Sequence, residues 1–138
     1  MSLMNPILRN ILAVVAGLVI GALINSGIIA ISGSIVPLPE GVDPNDIESI
    51  KANIHRYSTM HFIMPFLAHA IGTLFGAFIC AKIAASKKLI LSLVIGVFFL
   101  LGGIMMVTML PSPAWFNALD LVVAYLPMAW LGFILAKK

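Results

Sequence analysis

A single cysteine, Cys80, rules out an intrachain disulfide. Charge is nearly as scarce: Asp, Glu, Lys and Arg together make up 9% of the residues, too few to cover the surface of a water-soluble domain. The chain also lacks GxxxxGK[ST], HExxH and CxxC, and it has no convincing nucleophile elbow. P-loop nucleotide, zinc-protease and dithiol chemistry therefore have no residues to rest on.

In place of these stands apolar length. The 138 residues are 62% hydrophobic, with a mean hydropathy of +1.14. Four apolar runs cover residues 6–36, 59–85, 89–110 and 114–136. Each reaches the roughly 20 residues that a helix rising about 1.5 Å per residue needs to cross about 30 Å of hydrocarbon. Strands are excluded, because the runs are not cut into alternating segments of about ten residues and an unclosed sheet leaves backbone groups unsatisfied in lipid. The first run is too long for a cleaved leader. The expectation is an all-α integral membrane four-helix bundle, one domain over residues 1–138. Asn25-Ser26-Gly27 interrupts the first run and predicts a tilt or local break there.

Arg9, Lys82, Lys87, Lys88, Lys137 and Lys138 fall on one side of such a topology. Lys51 and Arg56 lie on the other, diluted by Glu40, Asp43, Asp46 and Glu48. Positive charge stays inside, so both termini are expected to be cytoplasmic in an inner or plasma membrane. The same bias accounts for the net charge of +3, and nucleic acid is not expected as a partner. Anionic lipid is the expected contact of the basic turn.

Between the first two spans, Pro37-Leu38-Pro39-Glu40-Gly41 ends the first helix. Asp43 before Pro44 reads as an N-cap followed by a first-turn proline, and Ile47, Ile50 and Ile54 recur on one side. A short amphipathic helix over 44–57 is predicted in this outer loop. A membrane-surface anchor is its expected role, ahead of a lid over a cavity. Pro111-Ser112-Pro113 makes a tighter outer turn, with Trp115 at interfacial depth.

Small residues line the helix faces. Gly17 and Gly21, with Asn10 and Asn25, share one face of the first helix; Gly72 and Gly76 share one on the second, with His61, Pro65, His69 and Cys80. Both glycine pairs are GxxxG motifs, which bring backbones close in lipid. Gly17, Gly21, Gly72 and Gly76 are therefore expected to pack within the bundle, against a second copy or against another membrane protein; spacing does not separate these cases.

Polar groups inside the spans are the chemical signal. Asp120 falls roughly 9 Å below the outer boundary, His61 lies near that boundary, and His69 sits about 12 Å deeper on the same face. Counted inward, Asn25 comes level with His69, and Asn117 with His61. A carboxylate at this depth costs about 2.5 to 3.5 kcal/mol on insertion scales, so it must face protein, water or a partner. Beside an imidazole it favours the protonated ring, which would couple proton binding to ligand binding. Asn25, His61, His69, Asn117 and Asp120 are the candidate ligand-binding residues, with Asp120 as fixed charge, His69 as titratable partner, His61 at the mouth and Asn25 as an orienting amide. A hydrogen-bonded plug fixing helix register is the alternative. Pro65 and Pro127 predict a deformable outer half, or simple packing kinks.

No cofactor is named by any motif. His61 and His69 are too far apart to chelate one ion on a helix, which leaves His61, Asp120 and His55 as the metal set to test. Met60, Met64, Met105, Met106 and Met109 lack a ligand spacing and read as packing. Haem axial ligands are not specified. In length and span count the chain is similar to small multidrug transporters. The similarity is one of scale alone, since the first helix holds no glutamate and the charge bias is one-sided. The expected function is binding or passage of a small ligand or ion. An accessory subunit of a larger membrane complex and a small lipid-acting enzyme using His69 and Asp120 as acid and base are the alternatives.

Overall fold

The computed structural model describes residues 4–138, and all its regular structure is helical. Helix α1 spans Pro6–Ile35, α2 Ile47–Asn53, α3 Thr59–Ile83, α4 Lys88–Met109, α5 Ala114–Val123 and α6 Leu126–Lys137; a 3-10 turn, Ile54–Arg56, follows α2. Four of these stretches are long and apolar enough to cross a membrane, the fourth being α5 and α6 taken together.

Local chemistry sets the boundaries. The Asn5 side chain accepts from the Ile7 amide at 2.8 Å, and Pro6 occupies the first turn of α1, where its missing N–H costs nothing. Val36, extended ahead of Pro37, ends that helix. The expected break at Asn25-Ser26-Gly27 does not occur: α1 runs on through all three. Gly27 meets no neighbour and Ser26 is exposed, so nothing there competes with the helical bonds.

The loop helix is shorter than expected. Asp46, not Asp43, caps it, accepting from the Glu48 amide at 3.0 Å. Asp43 accepts instead from the Asn45 amide at 2.9 Å, which spends it on a turn around Pro44. Pro65 leaves α3 as one helix. Pro127 has the larger effect: the last apolar stretch is interrupted at Ala124 and Tyr125, and Pro127 lies in the first turn of α6.

Helix α3 is the hub. It packs on α1, α4, α5 and α6, while α4 also packs on α1, α5 and α6; α1 forms no extended seam with α5 or α6. Between α1 and α3 the two GxxxG motifs interlock. A Cβ added at Gly17 would lie 2.6 Å from the Gly76 carbonyl oxygen, and one at Gly21 would lie 2.8 Å from that of Gly72. The reverse approaches, from Gly76 to Gly17 and from Gly72 to Gly21, are 2.7 and 2.8 Å. These four glycines are used within one chain. Gly132 on α6 meets the Leu74 carbonyl in the same manner, and Gly96 on α4 faces Ala129.

Small residues close one end of the bundle. Ala13, Ala77, Cys80, Ala84, Ile95 and Ala129 form its core, toward the end where α1 starts and α3 gives way to α4. There Asn10 secures the α3–α4 turn, accepting from the amides of Ala85 and Ser86 at 2.9 and 3.2 Å and donating to Ser86 Oγ at 3.0 Å. Arg9 Nε donates to the Ile83 carbonyl at 2.6 Å. Toward the opposite, loop end the core is aromatic, with Ile54, Phe62 and Phe116 together. Outward-facing positions carry large apolar side chains, among them Leu23, Phe98, Leu101, Val122 and Trp130, each more than half exposed.

Candidate functional site

The loop half of the bundle borders a partly open cavity of about 710 Å3. Asn25 and Ile29 of α1, Met106 and Leu110 of α4, and Phe116 and Asn117 of α5 contribute to its wall. The loop between α1 and α3 lines it too: Leu38, Ile50, Ile54 and Tyr57 face it. Two of the three isoleucines that predicted an amphipathic helix, Ile50 and Ile54, thus turn toward the cavity. Burial raises the ionisation range of the Tyr57 hydroxyl.

At the cavity floor His69 and Asp120 meet. His69 Nδ1 lies 2.8 Å from Asp120 Oδ1, and the Tyr125 hydroxyl donates to Oδ2 at 2.9 Å. Asp120 is 2% exposed, so each carboxylate oxygen has exchanged water for a protein donor. The rings of His69 and Tyr125 stack, with centroids 5.7 Å apart and planes at 27°.

An ionised carboxylate only accepts, so the proton of neutral His69 sits on Nδ1. The lone pair is then on Nε2. That nitrogen has no protein partner among the described residues, and His69 lines both this cavity and a neighbouring one of about 280 Å3. A carboxylate-oriented imidazole with a free nitrogen can accept a hydrogen bond, take up a proton or donate one when charged.

The remaining candidates divide. Asn25 borders both cavities, and its Oδ1 is buried without a partner. Asn117 donates to the Ser112 carbonyl at 3.3 Å, which leaves its own Oδ1 buried and unpartnered. His61 lines the cavity, yet its ring is already engaged. The Ser58 amide donates to Nδ1 at 2.9 Å, so Nε2 carries the proton and donates to the Pro37 carbonyl at 3.0 Å. His61 therefore ties the start of α3 to the end of α1 while it lines the cavity.

Two residues escaped the sequence reading. Tyr125, 2% exposed, supplies the second donor to Asp120. Thr73 is 1% exposed, and its Oγ1 has no partner although it lines the smaller cavity. The metal set of His61, Asp120 and His55 does not assemble. The first two are committed to other bonds, His55 is exposed, and no three His, Cys, Asp or Glu residues gather around an ion position among the described residues. Comparison with family models, curated proteins and solved structures finds no match to the chain.

Proposed function

We propose that this is a multi-pass protein of the inner or plasma membrane, with both termini cytoplasmic, whose bundle binds a small molecule in the cavity above Asp120. Membrane residence is supported by four long apolar helices and by the large apolar side chains on their outer faces. Helix α1, with 30 residues, is about 45 Å long against about 30 Å of hydrocarbon, which favours a tilted span or one that emerges at the loop end. Orientation rests on Arg9, Lys82, Lys87, Lys88, Lys137 and Lys138 near one end and the acidic loop at the other.

One observation carries the ligand reading. A carboxylate 2% exposed is held by His69 and Tyr125 at the floor of a cavity whose size suits a drug-sized molecule. The adjoining space and the uncommitted imidazole nitrogen favour this reading over a plug that only fixes helix register. Mostly apolar walls with a few convergent polar atoms are the general form of a small-molecule site.

Native mass spectrometry of the protein released from nanodiscs tests this. Wild type should carry a bound mass that is lost in Asp120→Asn and in His69→Ala, both of which keep their helical circular dichroism. Wild type that flies without added mass from every lipid composition, or variants that retain the mass unchanged, would overturn the reading.

A further inference from the structure

The smaller cavity says how a ligand arrives and what kind it is. It is bordered by Gly21 and Asn25 on α1 and by Phe99, Gly102 and Met105 on α4. It extends from Thr73, 1% exposed, to Met105, 59% exposed, so it joins the interior to the flank of the bundle. Below it, α1 and α4 close together: a Cβ at Gly21 would meet the Phe99 ring at 2.8 Å. At Gly102, by contrast, a Cβ would meet nothing within 4 Å. The opening therefore lies on the side of the molecule, between two helices whose outer faces are apolar. Asn25, His69, Gly103 and Met106 border both cavities, so the side opening and the larger chamber adjoin.

Polarity narrows the occupant. Among the described residues no Lys or Arg lines either cavity, and Asp120 is the only carboxylate that does. A phosphate head group would enter without a counter-charge, next to an acid. Polar groups on the linings include the Asn25 and Asn117 amides, the Thr73 and Tyr57 hydroxyls and Nε2 of neutral His69. The amides and hydroxyls both donate and accept hydrogen bonds, and Nε2 accepts. Hydroxyl groups, which also do both, match this mixed lining without carrying charge.

We propose that the ligand is an uncharged, hydroxyl-bearing amphiphile from the bilayer that enters sideways between α1 and α4, its hydroxyls meeting Asn25, Thr73 and His69 while its chain lies along Phe99 and Met105. This rests on the ligand-binding reading above and adds the route and the chemical class.

The test uses a monoacylglycerol with a diazirine in its acyl chain, photolysed with the full-length protein in nanodiscs, and labelled residues mapped by peptide mass spectrometry. Labelling should concentrate on Phe99, Met105 and Met106, and excess unlabelled monoacylglycerol should compete it away. Phosphatidylglycerol, with the same glycerol but a phosphate, should compete at least about tenfold less well, the equivalent of about 1.4 kcal/mol. Gly102→Trp, which fills open space, should abolish the focused labelling, and Thr73→Val should weaken it. Labelling spread evenly over outward residues such as Phe98 and Leu101, or equal competition by the anionic lipid, overturns the proposal. If Gly102→Trp stops the labelling but keeps the natively bound mass, the side route falls and the ligand-binding reading stands. Loss of neither in Asp120→Asn removes both.

Discussion

Asp120 and Tyr125 are five residues apart, and the hydroxyl of one reaches the carboxylate of the other at 2.9 Å. On an unbroken helix, residues so spaced point about 140° apart. They meet because the backbone leaves the helical path at Ala124 and Tyr125, where Tyr125 adopts φ −115° and ψ −81°. The interruption stands beside the smaller cavity, the kind of place where a lipid-embedded helix tolerates backbone that is not helical.

Tyr125→Phe removes one of the two donors to a buried carboxylate and keeps the ring stacked on His69. A loss of about 1 to 3 kcal/mol in stability is expected. Thermal unfolding in detergent, followed by circular dichroism, would reveal it. An unchanged midpoint would show that Asp120 does not depend on this hydroxyl.

Gly17→Leu and Gly76→Leu place side chains where a Cβ alone already falls 2.6 and 2.7 Å from a backbone oxygen of the facing helix. Each should destabilise the monomer by about 1 to 3 kcal/mol, as overpacking does. Gly27→Leu, in open space, should stay within about 0.5 kcal/mol of wild type. If unfolding midpoints of all three coincide while an oligomer dissociates, the glycines serve a contact between copies rather than the α1–α3 seam.

His61→Ala deprives the Ser58 amide of its acceptor and the Pro37 carbonyl of its donor. The cost should be about 0.5 to 2 kcal/mol, in the range of a lost helix cap. Hydrogen exchange should quicken over residues 37–61 and stay unchanged around Asp120. Ligand retention with a loosened loop is the signature that separates His61 from His69.

Asn10→Ala withdraws two acceptor contacts and one donor contact from the turn that joins α3 to α4. A stability loss of about 1 kcal/mol is expected, along with faster proteolysis at residues 84–87. Asn10→Asp keeps the oxygen that accepts from Ala85 and Ser86 and should recover most of that loss.

The meeting of His69 with Asp120 was legible because each span starts at a recognisable boundary, and counting from it fixes depth. Asn25 could be placed at the cavity by the same count. Tyr125 was hidden, since helical periodicity puts it on another face from Asp120 and only the break near Pro127 reverses that. Thr73 was hidden for a different reason: a threonine inside a helix ordinarily bonds its own backbone, so its unpartnered hydroxyl emerges only in the folded bundle. Asn10 shares the glycine face by angle, but it lies where that face runs past the helix end onto a turn. Asp43 is the cap that the sequence predicts, but the turn around Pro44 takes its side chain, and Asp46, three residues on, caps the helix instead.

Because α3 packs on every other long helix while α1 forms no extended seam with α5 or α6, the two flanks are joined chiefly through α3 and α4. Damage on α1, at Gly21 for instance, and damage on α6, at Gly132, should sum as independent losses, whereas Gly21 combined with a lesion at Gly72, or Gly132 with one at Ala77, should not. Tolerance to change is thus unevenly shared, and most of the molecule's fragility is gathered on one central rod.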